Sequence, residues 1–143
     1  MPHEGMVHAL REIWRVLIPG KDLIDLRPRS EDLQVEVVAG EQIIFVGVID
    51  ESAYLPDDVA ADNAVAQLRQ EGLFTQKQKA QFDYAMYWDS PDEMQAYARK
   101  RWPKSRLPEA VLVRSREFMA VSTVSARVRI RRKIMIIRYQ KTT

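Results

Sequence analysis

The 143-residue chain contains no cysteine. A disulfide framework, a thiolate zinc site, an iron–sulfur cluster and a cysteine nucleophile are therefore excluded, and a reducing compartment is the default. Histidine occurs only as His3 and His8. That excludes a histidine-rich metal centre, and without carboxylates at ligand spacing the two read as solvent-exposed. Glycine is scarce as well. Gly5, Gly20, Gly40, Gly47 and Gly72 stand at least seven positions apart, so no strand–Gly–x–Gly–helix unit for cradling a nucleotide can be assembled. No stretch approaches the roughly 18 apolar residues of a membrane span. Glu4 is acidic and no apolar run of signal-peptide length follows Met1, so a cytoplasmic protein with no membrane partner is expected.

What is present is ordinary for a globular protein: 46% hydrophobic and 29% charged residues. At this length a domain buries roughly 68% of the surface of its unfolded chain, enough for a core without staples, and a single domain over 1–143 is expected. The net charge of +2 conceals an asymmetry, −8 over residues 1–63 and +10 over residues 64–143. Such a split fits a nucleic-acid-binding half, or two halves that attract each other within one molecule or between copies.

Val7, Leu10, Trp14 and Leu17 recur at helical spacing from Glu4 to Leu17, and Pro19 and Gly20 stop that helix. A short strand over Asp22–Arg27 closes at Pro28. Leu33–Val38 and Gln42–Asp50 read as a β-hairpin whose second strand, apolar on both faces, should be well covered. After Tyr54 and Pro56, Asp57 and Asp58 offer an N-cap and favourable first-turn charge for a helix with the stripe Ala61, Ala64, Val65 and Leu68. Gln76–Gln81 is the best linker candidate but too short to separate domains. The alternation of Phe82, Tyr84, Met86 and Trp88 then predicts a strand, and Ser90-Pro91-Asp92-Glu93 is a capping box with proline at the first helical position. A further helix over Pro108–Met119 should turn Val111 and Phe118 inward. Ala126–Lys141 reads as a closing strand. Val128, Ile130, Ile134 and Ile136 share one face and Arg127, Arg129, Arg131 and Lys133 the other, until Met135, Ile137 and Tyr139 make that second face apolar and carry the strand from solvent into a core.

The run HALREIWRVLIPGKDLIDLRP, His8 to Pro28, resembles class I S-adenosylmethionine-dependent methyltransferases: the helix after their fourth strand, an RVL-x-PG loop and the fifth strand. The preceding PHEGM resembles the loop after the fourth strand, and FDYAMYWDSPDEMQAYARKRW is similar to the late part of one bacterial branch of that family. The closing strand also fits. The resemblance covers most of this chain but only the C-terminal half of the family's Rossmann-like fold. It implies an α+β fold, a mixed or antiparallel sheet of about five strands with packed helices. Family members hold the cofactor with a glycine-rich turn after the first strand and an acidic residue ending the second. Neither exists here, and Lys21 stands where the second glycine of the family's PGG loop is usual. The expectation is a methyltransferase-like partial domain that neither binds S-adenosylmethionine nor methylates alone, the cofactor entering only with a separate cofactor-binding half.

Asp25 and Arg27 fall at the carboxyl end of a strand, where open α/β sheets place ligands; they read either as substrate contacts or as a solvated strand end. Tyr84, Tyr87, Trp88 and Asp89 combine aromatic faces with a carboxylate and read as a small-molecule pocket or as strand core leading into a helix. No catalytic constellation can be assembled from the serines, threonines or carboxylates. The basic face Arg127, Arg129, Arg131 and Lys133 would suit phosphates, yet Val, Ile and Met stand between these residues where a nucleic-acid module carries stacking aromatics. Pairing with the acidic half through Glu36, Glu41 or Asp50 is the more economical reading. Losing four strands of the parent sheet would leave the edge of Asp22–Arg27 and the apolar face of the first helix uncovered, which predicts a homodimer or a missing N-terminal half as partner.

Overall fold

A computed structural model describes residues 3–29 and 31–143. The fold class is α+β with a five-stranded antiparallel sheet, as expected. Contacts divide the chain into two units. Residues 3–29, 54–82 and 134–143 form the first, and residues 31–53 and 83–133 the second.

The first unit holds α1 (His3–Val16), β1 (Asp22–Pro28), α2 (Leu55–Gln70), the start of β4 (Phe74–Trp88) and the end of β5 (Ala126–Lys141). Its core gathers Val7, Ala64, Leu68, Phe74, Met135, Ile137 and Tyr139, with Met6, Leu10, Trp14 and Leu23 packed against them. The helical stripe of α1 thus lies on this core. Across the α1–α2 contact, Arg11 donates twice to the Glu71 carboxylate, both at 2.7 Å. Helix α1 starts within one residue of the Glu4 expected from its spacing, so His3–Met6 of the PHEGM segment, which the resemblance reads as a loop, form its first turn; Pro2 lies outside the described residues.

Between α1 and β1 the Lys21 N–H donates to the Ile18 carbonyl at 3.0 Å, with Pro19 and Gly20 at the two central turn positions and Gly20 at φ +80°. That is the pattern of a type II turn, which needs a positive φ at its third residue, so the Pro-Gly pair is explained by local geometry. The same turn is tied to the chain end. Gly20 N–H donates to the Lys141 carbonyl at 3.1 Å, and Lys141 N–H to Lys21 at 2.9 Å. The Lys141 ammonium donates to the carbonyls of Trp14 at 2.6 Å and Leu17 at 2.7 Å and sits 4.1 Å from the centre of the Trp14 ring. A cation thereby caps carbonyls that the end of α1 leaves without helical partners.

Two expectations are corrected in this unit. Helix α2 begins at Leu55 with Tyr54 as N-cap, so Asp57 and Asp58 supply the expected first-turn charge but not the cap. Pro56 explains the shift, since its fixed φ and missing N–H suit the first helical positions. Gln76–Gln81 is no linker but part of β4. Its alternating Gln and Lys side chains remove the apolar period that marks a covered strand, while charged lysines are common where a strand lies at an edge.

The second unit holds β2 (Leu33–Ala39), β3 (Gln42–Ile49), the end of β4, α3 (Pro91–Arg101), α4 (Glu109–Val121) and the start of β5. β2 pairs antiparallel with β3 and, through Gln34–Ala39, with Ala126–Arg131 of β5. Leu33, Val35, Val37, Val46, Ile49, Met94, Val111, Leu112, Val128 and Ile130 form its core. Between Val35 and Glu36 the β2–β3 register shifts, and opposite that irregularity Gly47 adopts φ +149°. A Cβ at Gly47 would stand 2.6 Å from Val111 Cγ2, so glycine is what lets α4 approach the hairpin. The capping box forms at α3: the Glu93 N–H donates to Ser90 Oγ at 3.2 Å, and Glu93 Oε2 accepts from the Asp89 N–H.

Three packing expectations change. β3 is covered on one face only, leaving Ile43 and Phe45 exposed. In α4 Val111 is buried as expected, but Leu112 and Ser115 take the inward place assigned to Phe118, which is exposed. Strand β5 has the expected bounds, yet it does not run from solvent into a core. Val128 and Ile130 are buried in the second unit, Met135, Ile137 and Tyr139 in the first, and Ile134 and Ile136 are half-buried.

Candidate functional site

In β1 the usual alternation is inverted. Leu23, Asp25 and Arg27 are half-buried, while Ile24 (52%) and Leu26 (58%) are exposed. A strand that turns its charged residues toward cover and its aliphatic ones toward solvent departs from the pattern that burial alone would select. The register with β5 places Leu23 opposite Tyr139, Asp25 opposite Ile137 and Arg27 opposite Met135. β1 extends to Pro28, so Asp25 lies in mid-strand and Arg27 next to its end.

These residues line a cavity of about 350 Å³ in the first unit, walled by Met6, Ala9, Leu10 and Ile13 of α1, Leu23 to Arg27 of β1, Ala61 and Val65 of α2, and Tyr139 of β5. An apolar wall with a few polar groups is the composition of a small-ligand site, and the volume lies in the range such sites occupy. The polar groups form a chain. Arg27 Nε donates to Asp25 Oδ1 at 2.9 Å and Arg27 Nη2 to Asp62 Oδ1 at 3.0 Å. Burial works against the Arg27 charge, but the two carboxylates outweigh it and hold its pKa above the ordinary value. The trio carries a net charge of −1. The Asp25 side chain is 15% exposed, and its Oδ2 is shielded from solvent without a hydrogen-bond partner. Burial, with a smaller contribution from the nearby Asp25 charge, raises the pKa of Tyr139, so its phenol stays neutral at physiological pH.

The other candidates belong to the second unit, and none of them lines this cavity. Trp88 packs against the core, its ring 5.2 Å from that of Tyr97, which in turn meets Trp102 at 5.3 Å. Asp89 leads into α3. Tyr84 is exposed, and Tyr87 lies under the Arg127 guanidinium, 4.5 Å from the ring centre, with its hydroxyl accepting from Arg129 Nη1 at 3.1 Å.

The basic face of β5 is largely spent on internal pairing. Buried Glu36 Oε1 accepts from Arg129 Nε at 3.0 Å and from Arg131 Nε at 3.1 Å, and Arg131 also reaches Asp83. Burial disfavours the Arg129 cation, but Tyr87 and Glu36 more than compensate and raise its pKa. Lys133 is exposed. Glu36 therefore supplies the pairing with the acidic half expected of Glu36, Glu41 or Asp50, whereas the Asp50 carboxylate accepts from the Ser52 N–H at 2.8 Å.

Glu51 is a buried charge outside the cavity. It is buried, which raises its pKa, with a partly opposing bond from the Ser105 hydroxyl at 2.7 Å. Nothing in its sequence surroundings marks it. The sequence marks Tyr139 as part of the apolar end of the closing strand; its pairing with Leu23 across the sheet is what brings it to the cavity.

Among the described residues no helix is long and apolar enough to cross a membrane. Comparison with models of known protein families, with characterised proteins and with solved structures finds no match.

Proposed function

We propose that this chain is a methyltransferase-like partial domain that by itself neither binds S-adenosylmethionine nor methylates, and that it works as a binding module through the α1–β1–α2 cavity. The observation that carries this reading is the placement of Asp25 and Arg27, on the strand that resembles the family's fifth, in the wall of an apolar cavity. Helix, Pro-Gly turn and strand follow one another in the order the resemblance calls for. The glycine-rich turn and the second acidic strand end that would hold the cofactor are missing from the sequence. Calorimetric titration with S-adenosylmethionine should therefore give no binding heat at micromolar protein; micromolar affinity would overturn this part of the reading.

The exposed aliphatic residues of the first unit favour a partner reading beside it. Ile24 and Leu26 on β1, Val16 at the end of α1 and Ile18 after it are all exposed, and β1 stands at the end of the strand order. An open strand edge beside aliphatic side chains is what a second copy covers in a homodimer. Light scattering at micromolar concentration should give twice the 16.6 kDa chain mass; the monomer mass would count against self-association.

A further inference from the structure

Resting on the cavity reading, we infer that the ligand is a small organic cation: an apolar body with one protonated amine or comparable donor head directed at Asp25. The cavity wall is hydrocarbon apart from Asp25, Arg27 and Tyr139. Arg27 cannot serve an anionic ligand freely, because its Nε and Nη2 are already engaged by Asp25 at 2.9 Å and Asp62 at 3.0 Å. Of the two carboxylates on this guanidinium, Asp62 is half exposed and screened by water, while Asp25, 15% exposed, stands in the apolar wall. At Asp25 a hydrogen bond is also missing. Oδ2 of Asp25 is buried without a donor, which costs free energy that a ligand N–H would recover once the carboxylate turns this oxygen into the cavity. An anionic ligand would add charge beside Asp25, and a neutral apolar one would leave Oδ2 unsatisfied.

Calorimetric titration of the full chain with three probes sharing one body, phenylbutylamine, phenylbutanol and phenylbutyrate, separates the classes. The amine is expected to bind at least about tenfold more tightly than the alcohol, and the carboxylate not at all. Asp25→Asn should bring the amine to the affinity of the alcohol. Asp62→Asn, at an exposed position, should weaken the amine about two- to threefold, and it serves if Asp25→Asn fails to fold by circular dichroism. Equal affinity for amine and alcohol, or preference for the carboxylate, overturns the cationic class while leaving the cavity as a ligand site. Binding of no probe, with Leu10→Trp giving the same blank result as the unaltered chain, overturns the cavity reading itself.

Discussion

At the scale of single residues, two buried charges mark where burial was not legible in the sequence. Lys141 stands third from the end of the chain and would pass for a solvated tail residue, yet its ammonium is held by two carbonyls at the end of α1 and by the Trp14 ring. Lys141→Met keeps the stem and removes these bonds, and it should lower stability by about 1.5–3 kcal/mol in urea unfolding at neutral pH. Glu51 gives the opposite sign. Its folded pKa is raised, so between the ordinary glutamate range and that raised value the folded state binds more protons than the unfolded one, and stability falls as pH rises through the window. Glu51→Gln keeps an acceptor for Ser105. It should raise the thermal midpoint by a few degrees at about pH 7 and leave it unchanged near about pH 3. Neither residue could be read from sequence, because what buries each is brought there by the fold: α1, more than a hundred positions before Lys141, and Ser105, 54 positions after Glu51.

At the scale of elements, local chemistry made most boundaries readable and tertiary cover decided the faces. The Ser90–Glu93 capping box, the Pro19-Gly20 turn and the limits of β5 depend on neighbours in the chain, and all three appear where expected. The faces of β3 and α4 depend on what packs against them, so Phe45 and Phe118 were misplaced although both lie in correctly expected elements. Gly47 is informative for the same reason: within an apolar strand it looks incidental, but α4 leaves no room for a Cβ there. Gly47→Ala should destabilise by about 1–3 kcal/mol by denaturant titration, with Gly20→Ala less costly because open space surrounds Gly20. In the β2–β5 ladder, Glu36→Gln would leave Arg129 and Arg131 facing each other without their shared carboxylate. A loss of roughly 2–4 kcal/mol is expected, shrinking in high salt because Arg131 is partly exposed.

For the whole molecule, the −8 and +10 segments of the sequence do not survive as charged bodies. The first unit carries ten Lys/Arg against eight Asp/Glu and the second twelve against twelve, because each unit takes segments from both the acidic and the basic part of the sequence. Generic single-stranded DNA should therefore give no salt-dependent mobility shift at micromolar protein. The candidate site was half legible: Asp25 and Arg27 stood out by their place on a strand, but the cavity beside them is made by α1, α2 and Tyr139, which only the fold brings together. That this cavity, and not a methyl-donor site, is where the chain binds its ligand is tested most directly by methyl-resolved NMR of the full chain, titrated with phenylbutylamine and separately with S-adenosylmethionine. Shifts at Leu10, Ile13, Leu23 and Val65 with the amine, and none anywhere with S-adenosylmethionine, are expected. Saturable shifts with S-adenosylmethionine, or amine-induced shifts that avoid these four residues, would contradict it.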